Sequence, residues 1–184
     1  MRSLLYATTL LSVTLAMASP QVITQRPTPE QIAAWERDPE IVRDFEAGRA
    51  LRRAAKPDEA AAAYQRVLER APGLAVAHLN LGLVYHDQRH FASSTREFAA
   101  AASLDPGLRQ AQLYHGIDAY LWGRYATACT VLQEAVKAKR DDPEALYWLG
   151  LAQAASGDYR SAAESLDFTT VGRGARLGAL RWPP

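Results

Sequence analysis

The sequence predicts an all-α fold, a solenoid of stacked helix-turn-helix units, on three periodic alignments of residues. Gly48, Gly82, Gly116 and Gly150 recur every 34 residues. Ala60, Ser94, Ala128 and Ala162 stand twelve residues after each glycine, and Tyr64, Phe98, Leu132 and Leu166 stand four residues further on. Small and large residues held in phase at this period mark an array whose units bury their apolar faces only by stacking. The small residues admit close helix approach, and the large ones fill the space between units. No run alternates apolar and polar residues as a strand would.

Taken in order, residues 1–18 stand outside the array. Arg2 supplies a positive start, Leu4 to Ala16 is uncharged and apolar, and Ala16-Met17-Ala18 is a small-x-small cleavage site. These are the parts of a secretory signal peptide, so the chain is expected to be exported, periplasmic or secreted. The apolar run is shorter than the roughly 20 residues a membrane span needs, so no stable membrane insertion is expected after cleavage. Residue 19 is Ser rather than Cys, which leaves no lipid attachment site of the bacterial lipoprotein type.

Residues 19–40 read as a linker and a short N-terminal capping helix. Pro20, Pro27 and Pro29 favour an extended chain. Thr28, Pro29 and Gln31 form a capping-box helix start, and Ile32 and Trp35 share a face that should fold back on the first unit. Asp38-Pro39-Glu40 supplies a cap, a first-turn proline and a favourable acid for the next helix. Pro57-Asp58-Glu59 opens the following one in the same way, and Asp105-Pro106 and Asp142-Pro143 punctuate later units. Helices of about 12 to 15 residues fill the intervals. The array covers 41–170, in units 41–74, 75–108, 109–142 and 143–170. Residues 171–184, with Gly172, Gly174, Gly178 and a Trp182-Pro183-Pro184 end, read as a disordered or truncated tail. Arg173, Arg176 and Arg181 lie in it with no acid after Asp167. No polar closing element of the kind solenoid ends need is visible.

The chain resembles the tetratricopeptide repeat family at these positions. The second unit carries the pattern most fully, with Leu81-Gly82, Tyr85, Ser94, Phe98 and Pro106. The first keeps Gly48, Ala60, Tyr64 and Pro72, and the fourth keeps Leu149-Gly150, Ala162 and Leu166. The third departs furthest: it has Gly116, Ala128 and Leu132, but His115 where Leu is usual and Arg140 where Pro is usual. The resemblance implies about four such units in a right-handed superhelix, with the first helix of each unit on the concave face.

Charge narrows the partners. The chain has 21 basic and 20 acidic residues, and removal of Arg2 with the signal peptide leaves 21 − 1 = 20 of each. A neutral mature chain does not favour nucleic acid or an anionic membrane, since both need a basic excess. Single Cys129 cannot close an internal disulfide. It shares a helical stripe with Tyr125, Leu132 and Val136 and reads as a small buried hydrophobe.

Candidate chemistry is thin. His86-Asp87-Gln88-Arg89-His90 resembles a zinc-protease motif with Asp replacing the general base. The repeat phase runs it from a helix end into a turn, and two histidines four apart share a face only in a continuous helix. No metal or other cofactor is therefore assigned. His78 and His115 fall at helix-packing positions. Asp141-Asp142 lies in an inter-unit turn beside Lys137, Lys139 and Arg140, where screened surface charge is expected. No phosphate loop or nucleophile elbow occurs, and the chain is not expected to be an enzyme.

On the concave face the resemblance places Phe45 and Arg49, then Leu79, Asn80 and Leu83, then Leu113, Tyr114 and Ile117, then Tyr147, Trp148 and Leu151. Some family members grip a peptide carboxylate with Lys, Asn and Arg. Only Asn80 matches that clamp, since Phe45 and Tyr114 occupy two of its basic positions, and Arg49 is a charge without companions. The remaining stripe is apolar and aromatic, suited to an apolar or amphipathic partner segment, unless neighbouring helices bury part of it. The expected function is an exported scaffold binding peptides or protein segments on the concave face. The alternative is an assembly subunit, or a fragment of a larger repeat protein, that self-associates through its uncapped C-terminal end.

Overall fold

The computed structural model describes residues 26–140 and 142–171, with side chains to residue 167. The expectations for the signal peptide, the linker before Arg26 and the tail after Val171 lie outside the described residues. Within them the chain forms nine α-helices and no strand: α1 (Pro29–Arg37), α2 (Pro39–Arg53), α3 (Pro57–Arg70), α4 (Ala75–Asp87), α5 (Phe91–Leu104), α6 (Arg109–Leu121), α7 (Tyr125–Ala138), α8 (Pro143–Ala155) and α9 (Tyr159–Val171).

Local chemistry sets the boundaries. Gln31 N–H donates to Thr28 Oγ1 at 3.3 Å while Thr28 N–H donates to Gln31 Oε1 at 2.8 Å, completing the capping box of α1. Asp38 accepts from Glu40 and Ile41 at the start of α2, and Asp142 accepts from Glu144 at the start of α8. Lys56 offers α3 no side-chain cap. In the turn before it Lys56 N–H donates to Leu51 O at 3.0 Å, which closes the end of α2.

That turn repeats in every unit. Residues 55, 89, 123 and 157, again 34 apart, all have positive φ: Ala55 at 56°, Arg89 at 59°, Gly123 at 80° and Gly157 at 89°. Each is followed by a backbone bond to the residue five before, such as His90 N to Tyr85 O at 2.8 Å and Arg124 N to Ala119 O at 2.7 Å. This is the paired-bond helix ending that reverses the chain through one left-handed residue.

The helices pair as α2–α3, α4–α5, α6–α7 and α8–α9, and each second helix also packs on the next first helix. The periodic glycines make the intra-unit contact. A Cβ at Gly48 would lie 2.8 Å from the Tyr64 ring, and one at Gly82 would lie 2.7 Å from the Phe98 ring. Gly116 and Gly150 stand against Leu132 and Leu166 in the same way. Tyr64, Phe98 and Leu132 are fully buried. First helices of successive units touch (α2–α4, α4–α6, α6–α8), whereas the described second helices do not touch one another. The array therefore curves toward its first-helix side. Helix α1 packs on the first unit through Trp35, which meets Ile41, Val67 and Leu74 and lies over Gly73.

One expectation is corrected here. Cys129 is half-buried rather than buried, packs at the edge of the Leu132 cluster and lies 3.9 Å from Ser156 Oγ. Its stripe neighbour Tyr125 is 39 % exposed. Both lie toward the α6–α7 turn, whereas Leu132, further along the same stripe, is fully buried.

Candidate partner-binding groove

The first-helix face does not present the expected stripe uniformly. Leu79, Leu83 and Ile117 are buried, so these three are corrected from groove residues to core. For Leu79 and Leu83 the reason lies in α4, which also buries Leu81 and Val84. A helix apolar around its whole circumference is covered on all sides, here by α3, α5 and the flanking first helices α2 and α6. Leu79 and Leu83 meet Phe98, Ala101 and Ala111 there. Tyr114 packs on the same cluster, its ring 5.5 Å from Phe98 and 5.2 Å from His86. Phe45 is half-buried with its ring edge-on to Tyr64 at 5.5 Å. Trp148 is half-buried against the Leu132–Leu149 cluster, as is Leu113, while Leu151 is half-buried and Tyr147 is 45 % exposed.

One end of the face is basic. Arg49, Arg52 and Arg53, with Tyr64 and Asn80, line a cleft of about 240 Å³. Arg49 therefore has companions, which corrects its reading as a lone charge. Continuing three and four residues along α2 from Arg49 would have found them. Arg49 pairs with Glu46 at 2.8 Å, Arg52 pairs with Asp87 at 2.7 Å, and Arg53 has no ion pair among the described residues. Asn80 Nδ2 donates to Val76 O at 2.7 Å, and its Oδ1 accepts the Tyr64 hydroxyl at 3.4 Å. Burial pushes the Tyr64 phenol up to about 12, although Arg52 and Arg49 oppose the shift.

The other end is aromatic. Tyr125, Tyr120, Trp148 and Tyr147 form a row of rings with successive centroids 5.6, 5.7 and 5.7 Å apart. Tyr120, missed in the sequence, occupies α6 one turn beyond Ile117. Leu121 beside it is 40 % exposed. Offset and edge-on aromatic contacts of this spacing hold rings in place at little entropic cost.

Between the two ends lies a polar junction. Asp118 is fully buried on α6. Its carboxylate accepts from the Ser94 hydroxyl on α5 and faces His86 Nδ1 on α4 at 2.6 Å. The hydrogen bond to Asp118 raises the His86 pKa against the opposing effect of burial. The serine donates to the carboxylate and not to the histidine, so the trio lacks the nucleophile–base contact of a hydrolase triad. His90 stands beyond the turn at the start of α5, and His86 and His90 do not share a helix. Among the described residues no group of three His, Cys, Asp or Glu side chains could hold a metal ion. His78 sits at an edge, its ring bridging Glu97 at 2.8 Å and Pro72 O at 3.0 Å.

The family's repeat patterns match residues 45–109 (tetratricopeptide repeat) and 120–157 (TPR repeat). The chain belongs to the tetratricopeptide repeat family. The array also superposes on solved structures. A crystal structure of MamA protein matches with TM-score 0.70 and 23 % identity over 72 % of each chain. The 41-to-end form of MamA from Desulfovibrio magneticus RS-1 matches with TM-score 0.67 and 17 % identity, over 78 % of this chain and 84 % of that one. A structure of MamA from AMB-1 matches with TM-score 0.69 and 16 % identity, over 79 % of this chain and 83 % of that one. Likeness at these identities speaks for a shared tetratricopeptide solenoid. No curated protein sequence matches the chain. Tetratricopeptide arrays present extended surfaces to protein partners, and among the described residues no helix is long and apolar enough to cross a membrane.

Proposed function

We propose that the protein is an exported scaffold that binds an amphipathic segment of a partner protein along its first-helix face. The observation that carries this reading is Tyr147, 45 % exposed at the end of a four-ring row whose other members hold it in place. Held aromatic rings at a curved face are the residue type that anchors interfaces. The arginines at the opposite end favour acidic residues on the same segment. Export is supported by Arg2, the apolar run and Ala16-Met17-Ala18.

Crosslinking pull-down of the mature protein from its native compartment, followed by affinity measurement with the recovered partner, tests the reading. Tyr147→Ala is expected to weaken binding by about 2 kcal/mol while helicity is retained. Unchanged affinity in that variant would remove the aromatic end from the interface. N-terminal sequencing of the protein from that compartment should begin at Ser19, and an intact Met1 on membrane-bound protein would replace export by anchoring.

A further inference from the structure

The outer side of the array carries a cavity with its own chemistry. Between α5 and α7, over α6, a space of about 400 Å³ opens to solvent. Its origin is legible in the repeat. At the junction of the first two units Gln65 Nε2 donates to the Tyr85 hydroxyl at 3.1 Å. The residues 34 positions on are Ala99 and Ala119. Both line the cavity. A phenol ring and an amide that fill one junction are thus missing from the next. His115, also on the wall, stands where the second and fourth units have Leu81 and Leu149.

The remaining walls are selective. Ala92 and Trp122 extend the apolar lining, and Arg96 and Arg124 bring two cations to it with no carboxylate among the lining residues. The Arg124 guanidinium lies over the Trp122 ring at 4.7 Å and has no ion pair among the described residues. The Arg96 ion pair is a loose one, 3.9 Å to Glu97. A small pocket with mostly apolar walls and a few placed polar groups is the usual form of a ligand site. A planar, forked guanidinium is suited to a carboxylate.

We infer that this cavity binds a small aromatic carboxylate, its ring taking the place that Tyr85 fills in the preceding junction and its carboxylate meeting Arg124 and Arg96. The site shares no lining residue with the proposed partner groove and does not depend on it. Burial lowers the His115 pKa, so a neutral imidazole adds a hydrogen-bonding wall without a further charge.

The test is an NMR titration of the folded protein with 4-hydroxyphenylacetate and, separately, with its neutral amide. The acid should give saturable shifts at the backbone amides of Ala99, Ala119 and Trp122. The neutral amide should bind about tenfold more weakly or worse, because a charge-assisted hydrogen bond is lost. Ala99→Gln with Ala119→Tyr, which rebuilds the Gln–Tyr filling, should abolish the shifts. Arg124→Gln, at an exposed side chain, should weaken the acid about tenfold and leave the neutral amide unchanged; it carries the decision if the filled variant does not fold. Absence of saturation at these amides, equal affinity for acid and neutral amide, or undiminished binding in Arg124→Gln would overturn the inference.

Discussion

Asp118 has no counterpart in the other units, where the same position is Ala50, Val84 and Ala152. Its two partners are also particular to this junction: Ser94 replaces the periodic alanine, and His86 stands where Arg52 and Tyr120 stand elsewhere. A buried carboxylate stripped of one donor keeps its desolvation cost. His86→Ala is therefore expected to lose about 3 kcal/mol in urea unfolding. Replacing the trio together by the residues of the next junction (His86→Tyr, Ser94→Ala, Asp118→Ala) should recover most of that loss, because an uncharged filling leaves no buried carboxylate in need of donors. The histidine also gives a pH dependence. Its folded pKa is raised by Asp118, with Asp87 adding to the shift and Arg52 opposing it. Its contribution is thus complete below the ordinary histidine value of about 6.5 and fades as pH rises through the raised value. His115, on the same helix as Asp118, has a lowered pKa and acts in the opposite sense. The measurement is therefore the difference between wild type and His86→Gln, expected to be larger at about pH 6 than at about pH 8. A pH-independent difference would show that the bond to Asp118 owes nothing to the imidazolium.

At the scale of the element, the reversing turn separates units that fit it from units that bear strain. Gly123 and Gly157 adopt its left-handed residue freely, whereas Ala55 and Arg89 carry a Cβ there. Arg89→Gly should raise stability by about 1 kcal/mol, and Gly123→Ala should lower it by a similar amount. Opposite shifts in denaturation midpoint would verify the pair. The intra-unit contact makes a second demand. Gly82→Leu drives a side chain into the Phe98 ring, already too close for a Cβ, and is expected to cost about 1–3 kcal/mol. Unaltered thermal stability in that variant would separate the glycine period from the packing.

Over the whole molecule, contact among first helices without contact among second helices gives the array two unlike sides. The inner side runs from an arginine cleft at the first unit to a row of rings at the last. The outer side opens where a large residue is missing. Sedimentation of the mature protein should give a monomer if the inner face serves a separate partner. A stable dimer would favour the assembly-subunit reading instead. Arg53→Ala should weaken capture of an acidic-flanked partner less than Tyr147→Ala does, because rim charges act mainly on association rate. Measured on-rates and salt dependence would distinguish the two ends.

The sequence by itself determined the helix pairs and the glycine contacts through its 34-residue phase, and the caps at Thr28, Asp38 and Asp142 through local motifs, because each depends on neighbours at fixed spacing along the chain. It also contained, unread, the turn residues at 55, 89, 123 and 157 and the arginines that follow Arg49. Exposure was another matter. Leu79, Leu83 and Ile117 share the inner-face phase with Tyr147, yet neighbouring helices bury them and leave Tyr147 open. Ser94, Asp118 and His86 come from three helices, and nothing in their spacing announces that they meet. Periodicity specifies which side of a helix a residue occupies; only tertiary packing decides what lies over that side, because burial is set by helices distant in sequence.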